Sequence, residues 1–120
     1  MAQTIIVADD HPLFRAALKQ AVSQAVPDAE TVEVDSIKAL QAAVESHPDA
    51  DLVLLDLNMP GAHGFSGLVF MRGQYPGLPV VVVSGSEELQ VMRRSIDYGA
   101  SGFIPKSAPL PTITEAIQAV

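Results

Sequence analysis

Three apolar runs in this chain, TIIVA (4 to 8), DLVLLD (51 to 56) and PVVVVS (79 to 84), carry their aliphatic and β-branched residues without a break. A strand with one face in water alternates apolar and polar residues. A continuously apolar strand is one buried on both faces, and that burial is the mark of a parallel sheet covered by helices on both sides. A fourth run, TVEV (31 to 34), does alternate, as an edge strand would, and a short GFI (102 to 104) makes a fifth.

The segments between these runs have helical spacing. Leu13, Ala17, Leu18, Ala21 and Val22 form one apolar stripe, as do Ile37, Leu40 and Val44, then Leu89, Met92 and Ile96, and finally Leu110, Ile113, Ile117 and Val120. The stretch from Gly64 to Tyr75, with Phe65, Leu68 and Val69, predicts a weaker helix, since Gly67 and Gly73 lower its propensity. Boundary residues agree: Pro12 suits a first helical turn, Asp35 or Ser36 can N-cap the second helix, and Gly99 follows the fourth where a left-handed residue is wanted. Five strand–helix repeats imply an α/β fold, an open parallel sheet with right-handed crossovers and helices on both faces. With 120 residues, 48% of them hydrophobic, the chain can bury one core and shows no linker that would divide it.

Several classes are disfavoured. Seven basic against fourteen acidic residues give a net charge of −7, which repels nucleic acid and anionic membranes. The N-terminus has no signal-peptide pattern, no apolar run is long enough to span a bilayer, and the absence of cysteine fits a reducing compartment. A soluble cytoplasmic domain with no membrane partner is expected.

In open parallel sheets functional groups collect at the carboxyl ends of the strands. Here those ends carry Asp9 and Asp10, Asp56, Ser84 and, just past the fifth strand, Lys106. Three acids form a hard-oxygen cluster suited to Mg²⁺. A hydroxyl and an ammonium beside them would meet an anion, the set that phosphoryl transfer needs, with Asp56 as nucleophile forming an acyl phosphate. Asp56 as a mere turn residue would leave Asp9, Asp10 and Lys106 unexplained. Asp9 or Asp10 is also expected to help cap the first helix. His11 raises the question of a transition-metal ligand, but one histidine among carboxylates favours Mg²⁺, and a structural or solvent-facing place is expected for it.

These residues fall in four ordered motifs: VADDH, LLDLNMPG, VVVSG and GASGFIPKS. Together they resemble the receiver domain of two-component response regulators over the whole chain, and DDHPLFRAAL with PKS resembles the NarL/FixJ class. The resemblance implies a flavodoxin-like (βα)5 sheet in strand order 2-1-3-4-5. It implies Asp56 as phosphoacceptor, with Asp10 the direct and Asp9 the more water-mediated partner of Mg²⁺, for which Mn²⁺ could substitute. The Asn58 backbone carbonyl would be the third protein ligand, and NMPG the turn around the cation. Ser84 and Lys106 would bind phosphoryl oxygens and Phe103 would be the switching aromatic. Ser84 stands where Thr is frequent, Phe103 where Tyr is the alternative, and Ser107 where many receivers have Pro.

The implied partners are a sensor histidine kinase or phosphotransfer protein, a second copy in a homodimer, and DNA only through a LuxR-type output domain that these 120 residues do not include. Because the last apolar stripe still runs at Val120, truncation within or near the last helix is expected. A receiver that works as a phosphorylation-independent interaction module is the alternative. A haloacid-dehalogenase-like phosphatase is more remote: Asn58 stands where its second acid belongs, and no cap domain is present.

Overall fold

Strand and helix alternate throughout the computed structural model, which describes residues 3–59, 64–85 and 88–120. In chain order the elements are β1 (Thr4–Ala8), α1 (Pro12–Ala25), β2 (Glu30–Val34), α2 (Ile37–Ser46), β3 (Leu52–Asp56), α3 (Ser66–Gln74), β4 (Val80–Ser84), α4 (Leu89–Asp97), β5 (Gly102–Pro105) and α5 (Leu110–Gln118). All strand pairs are parallel and the order is β2-β1-β3-β4-β5. This is the architecture that the continuous apolar runs require. β1, β3 and β4 are buried at every position, whereas the alternating β2 lies at an edge.

Side chains of successive strand residues point to opposite faces, and the core divides accordingly. Ile5, Val7, Leu52, Leu54, Val81, Val83 and Ile104 pack with Leu18, Ala21 and Val22 of α1 and Ile113 and Ile117 of α5. Ile6, Ala8, Val53, Leu55, Val80 and Val82 pack with Leu40 and Val44 of α2 and Leu68 and Met71 of α3. Each fully buried aliphatic side chain stabilises the fold by about 1.5–3 kcal/mol relative to exposure.

Local signals act where they were expected for three boundaries, and Pro12 stands in the first turn of α1. Ser36 Oγ accepts a hydrogen bond from the Ala39 N–H and caps α2. Gly99, after α4, has φ +102°, and a side chain there would also meet Arg72, whose Nη1 donates to the Leu78 carbonyl oxygen. The capping role expected of Asp9 or Asp10 does not hold: the N-cap of α1 is His11, with no side-chain cap, and Asp9 Oδ1 accepts instead from the His11 N–H at 2.8 Å. Pro60 and Gly61 of the NMPG turn lie outside the described residues.

Four stripes differ from expectation. Leu13 is 90% exposed, because α1 turns Phe14, Leu18, Ala21, Val22 and Ala25 toward the sheet. Val69 is exposed, while Gly67, Leu68 and Met71 bury α3. On α4 the inward pair is Val91 and Ser95, and Leu89 and Ile96 are 56% and 47% exposed. The Ser95 hydroxyl donates to the Val91 carbonyl oxygen at 2.9 Å, which satisfies it in burial, and its small size lets the helix approach the sheet. On α5 (Leu110–Gln118) Ile113 and Ile117 are buried, whereas Val120 is 49% exposed and its N–H bonds to Ile117 O.

Candidate functional site

β1 and β3 are neighbours, and their carboxyl ends deliver Asp9 and Asp56 side by side. Both are fully buried. Asp9 is anchored through its own backbone: its N–H donates to the Val34 carbonyl oxygen, and its carbonyl oxygen accepts from Arg15 Nη1 at 2.9 Å. Asp56 follows Leu52 and Leu54 on the α1/α5 face by strand alternation, so its carboxylate lies at the end of an apolar row.

Lys106 comes from the opposite direction. Its backbone N–H donates to the Ser84 carbonyl oxygen at 2.7 Å, which ties the loop after β5 to the end of β4. From there the side chain crosses the Phe14 ring, with Nζ 5.2 Å from the centroid, a cation–π contact. Nζ reaches Asp56 Oδ2 at 3.1 Å and Asp9 Oδ2 at 3.3 Å. The first contact is a hydrogen bond; the second is an ion pair, and Nζ donates its hydrogen bond to Asp9 through the other oxygen, Oδ1, at 3.5 Å. Asp56 Oδ1 accepts from the Asn58 N–H at 3.0 Å, so both oxygens of the carboxylate are held.

The electrostatics of Asp56 are contested by its neighbours. Burial raises its pKa above the ordinary carboxylate value, and the charge of Asp9 adds to the rise. The Asn58 N–H and the Lys106 ammonium, which favour the ionised form, oppose it. Burial dominates.

Asp9, Asp10, His11 and Asp56 each place one ligand-capable atom within 4.8 Å of the others. Among the described residues three carboxylates face the Lys106 ammonium there. Asp9 Oδ2 and Asp10 Oδ1 are buried and, among the described residues, accept no hydrogen bond, an arrangement that is costly unless a cation completes it. The donor set of hard oxygens fits a divalent ion such as Mg²⁺.

The structure thus brings Asp9, Asp10, Asp56 and Lys106 together as the strand ends suggested, with Asn58 tied to Asp56 through its N–H. Ser84 is buried at the end of β4, in register with Pro105. Phe103 is in register with Val82, half-buried on the α2–α4 face beside Met92 and Ile96. His11 faces solvent, as expected. Its ring is 63% exposed, yet Nδ1 turns inward, 2.9 Å from Lys106 Nζ and 3.4 Å from Asp10 Oδ1. Its adjacency to the acids was visible in the sequence, but the direction of the ring was not. Phe14, the apolar floor under the Lys106 stem, had no signal beyond its helical position.

Residues 5–118 match the profile of the response regulator receiver domain. The glycerol metabolism activator of Pseudomonas putida is 44% identical over 116 residues, 97% of this chain and 52% of that protein. The nitrate/nitrite response regulator protein NarL of Escherichia coli K12 is 33% identical over 114 residues, 95% of this chain and 52% of that protein. The chain therefore spans about half the length of these curated relatives. Among solved structures, the signal receiver domain of the putative response regulator NarL from Mycobacterium tuberculosis superposes with a TM-score of 0.84 at 28% identity, covering 98% of this chain and 94% of that one. Match and fold agree, and this chain belongs to the response regulator receiver domain family.

Proposed function

We propose that Asp56 is the phosphoacceptor of this receiver, taking a phosphoryl group from a sensor histidine kinase or a phosphotransfer protein. The observation that carries this is the Asp56 carboxylate itself, fully buried, hydrogen-bonded to Lys106 at 3.1 Å and grouped with Asp9 and Asp10. An Asp56 oxygen attacks phosphorus, the phosphorus–nitrogen bond to the donor imidazole breaks, and the nitrogen keeps the electron pair. The product is an acyl phosphate.

Asp9, Asp10, Asp56 and the Asn58 backbone carbonyl are the residues that would hold Mg²⁺, or Mn²⁺ in its place. The bound cation supplies neutralisation of the charge that gathers on the phosphoryl oxygens. Lys106 offers a second positive charge and Ser84 a hydroxyl donor to the same oxygens. The added charge of about −1.5 to −2 units then biases a two-state equilibrium, with Phe103 beneath α4 as the side chain that rearranges.

The chain works as a signalling domain whose only chemistry is its own phosphorylation and dephosphorylation. We place it in the cytoplasm, as the receiver part of a longer transcription regulator that reaches DNA through an output domain, with homodimerisation as the means of control. About half of each curated relative lies outside the match, and one of those relatives is named as an activator.

Incubation with acetyl phosphate and Mg²⁺ should add one phosphoryl mass to the intact protein, and Asp56→Asn or EDTA should abolish the gain. Uptake by Asp56→Asn would move the acceptor elsewhere. No uptake by the unaltered chain, together with no response to beryllofluoride, would make this an interaction module that works without phosphorylation.

A further inference from the structure

The rings of Phe65 and Tyr98 stand 5.3 Å apart between centroids and are tilted by 46°. Tilted pairs at this separation attract one another through their quadrupoles. Neither ring belongs to the site described above. Phe65 is the N-cap residue of α3, at the end of the connection that leaves β3 at Asp56, and Tyr98 is the C-cap residue of α4.

We propose that this ring pair is a restraining contact of the unphosphorylated receiver: it holds the start of α3 against the end of α4, and it parts when Asp56 is modified. The inference rests on the reading of Asp56 as phosphoacceptor.

Three features support it. The first is the path of the chain. Asp56 Oδ1 accepts from the Asn58 N–H, so the carboxylate holds the first residues of the β3–α3 connection, and Phe65 is the last residue of that connection. An acyl phosphate at Asp56 is a weaker acceptor for this N–H than the ionised carboxylate. Modification therefore loosens one end of a segment whose other end is Phe65. The second is the way α3 begins. Phe65 provides no side-chain cap, and Gly64 before it has φ +69°. What places this end of the helix is the Phe65 ring, half-buried on the α2–α3 core and set against Tyr98.

The third feature is the light docking of α4. Ser95 is its one buried residue, Val91 is half-buried, and Leu89, Met92 and Ile96 are exposed. A helix with so little apolar surface in the core takes its orientation from contacts at its ends. At the C-terminal end these are with α3: Tyr98 meets Phe65, and a Cβ at Gly99 would stand 3.2 Å from Arg72 Cγ. The ring pair thus ties a helix that continues the phosphoacceptor strand to one that the core holds weakly. A contact present in one state and absent from the other opposes the switch by its own free energy. Removing it favours the modified state.

The test is isothermal titration of the chain with beryllofluoride in saturating Mg²⁺. It compares the unaltered protein with Phe65→Leu, Tyr98→Leu, the double variant and Tyr98→Phe. The leucine variants keep an apolar side chain and lose a ring, whereas Tyr98→Phe keeps the ring and loses only the hydroxyl. Phe65→Leu and Tyr98→Leu should each bind beryllofluoride ~2- to 10-fold more tightly, the worth of one aromatic pair. The double variant should gain no more than either single one, because the two rings form one contact. Tyr98→Phe should stay within about twofold of the unaltered protein. Near-UV circular dichroism is an independent readout: the chain has two tyrosines and no tryptophan, so in Tyr75→Phe the tyrosine band is that of Tyr98. That band should weaken as beryllofluoride binds.

Unchanged or weaker binding by the leucine variants, additive gains in the double variant, or a Tyr98→Phe that behaves like Tyr98→Leu would overturn the proposal. So would a Tyr98 band indifferent to bound beryllofluoride. Each of these leaves the phosphoacceptor reading in place. If Phe65→Leu does not fold, Tyr98→Leu against Tyr98→Phe decides alone. Failure of the unaltered chain to bind beryllofluoride with Mg²⁺ would overturn both this inference and the reading on which it rests.

Discussion

Leu54 and Asp56 stand two residues apart on β3, on the same face of the sheet, and both are fully shut off from solvent. Burial acts on them in opposite directions. For Leu54, in the middle of the sheet, it removes apolar surface from water and is favourable by about 1.5–3 kcal/mol. For Asp56, at the carboxyl-end rim, it withdraws a charge from water, and one ammonium and one backbone N–H compensate only in part, so the pKa rises. The middle of the sheet holds the fold together, and its rim strains it. The same strands do both, because a parallel sheet aligns all of its carboxyl ends on one edge.

The sharpest way to break this contrast is Leu54→Ala. A fully buried leucine replaced by alanine is expected to destabilise the fold by about 2–5 kcal/mol, measured by urea denaturation. A loss under about 1 kcal/mol would mean that the sheet centre collapses around the gap and is not the rigid support described.

Next in size is Asp56→Asn, with the opposite sign. A carboxyl whose folded-state pKa is raised contributes stability that is present below its unfolded-state pKa and is lost as pH rises through the folded-state value. At neutral pH the ionised Asp56 therefore weakens the fold, and asparagine, which does not ionise, removes that effect. Without divalent cations the variant should melt a few degrees above the unaltered protein at pH 7.5, and the gap should shrink as pH falls below the ordinary aspartate range. A variant that melts lower at neutral pH would show that the Lys106 pair outweighs the burial of Asp56.

The smallest effect sharpens the comparison from a third place. Met92 on α4 is apolar like Leu54, but it points out of the core, so Met92→Gln should change stability by no more than about 0.5 kcal/mol. A larger loss in a denaturation experiment would mean that α4 docks through its outer stripe. Burial, not apolar character alone, separates the two positions.

Much of this molecule was legible from its patterns. The uninterrupted runs of β1, β3 and β4 required a sheet covered on both faces, and the residues at their ends, Asp9, Asp10, Asp56 and Ser84, had to share one edge with Lys106. Each of these inferences needs only the period of a strand and the direction of the chain. Helix docking was less legible. α1 and α4 each offer more apolar residues than one stripe can bury, and the pattern does not say which set faces the sheet. Leu13, Leu89 and Ile96 belong to the apolar stripes and yet lie outward, while Ser95, a polar residue, is buried with its hydroxyl bonded within its own helix.

The sequence alone determined the fold class and the acidic rim, since both follow from periodicity and strand ends. Tertiary structure decided how each helix is rotated on the sheet, the crossing of Lys106 over Phe14 to Asp56, and the inward turn of His11 Nδ1. These depend on contacts between residues up to 97 positions apart, and no local pattern encodes the angle at which such distant groups meet.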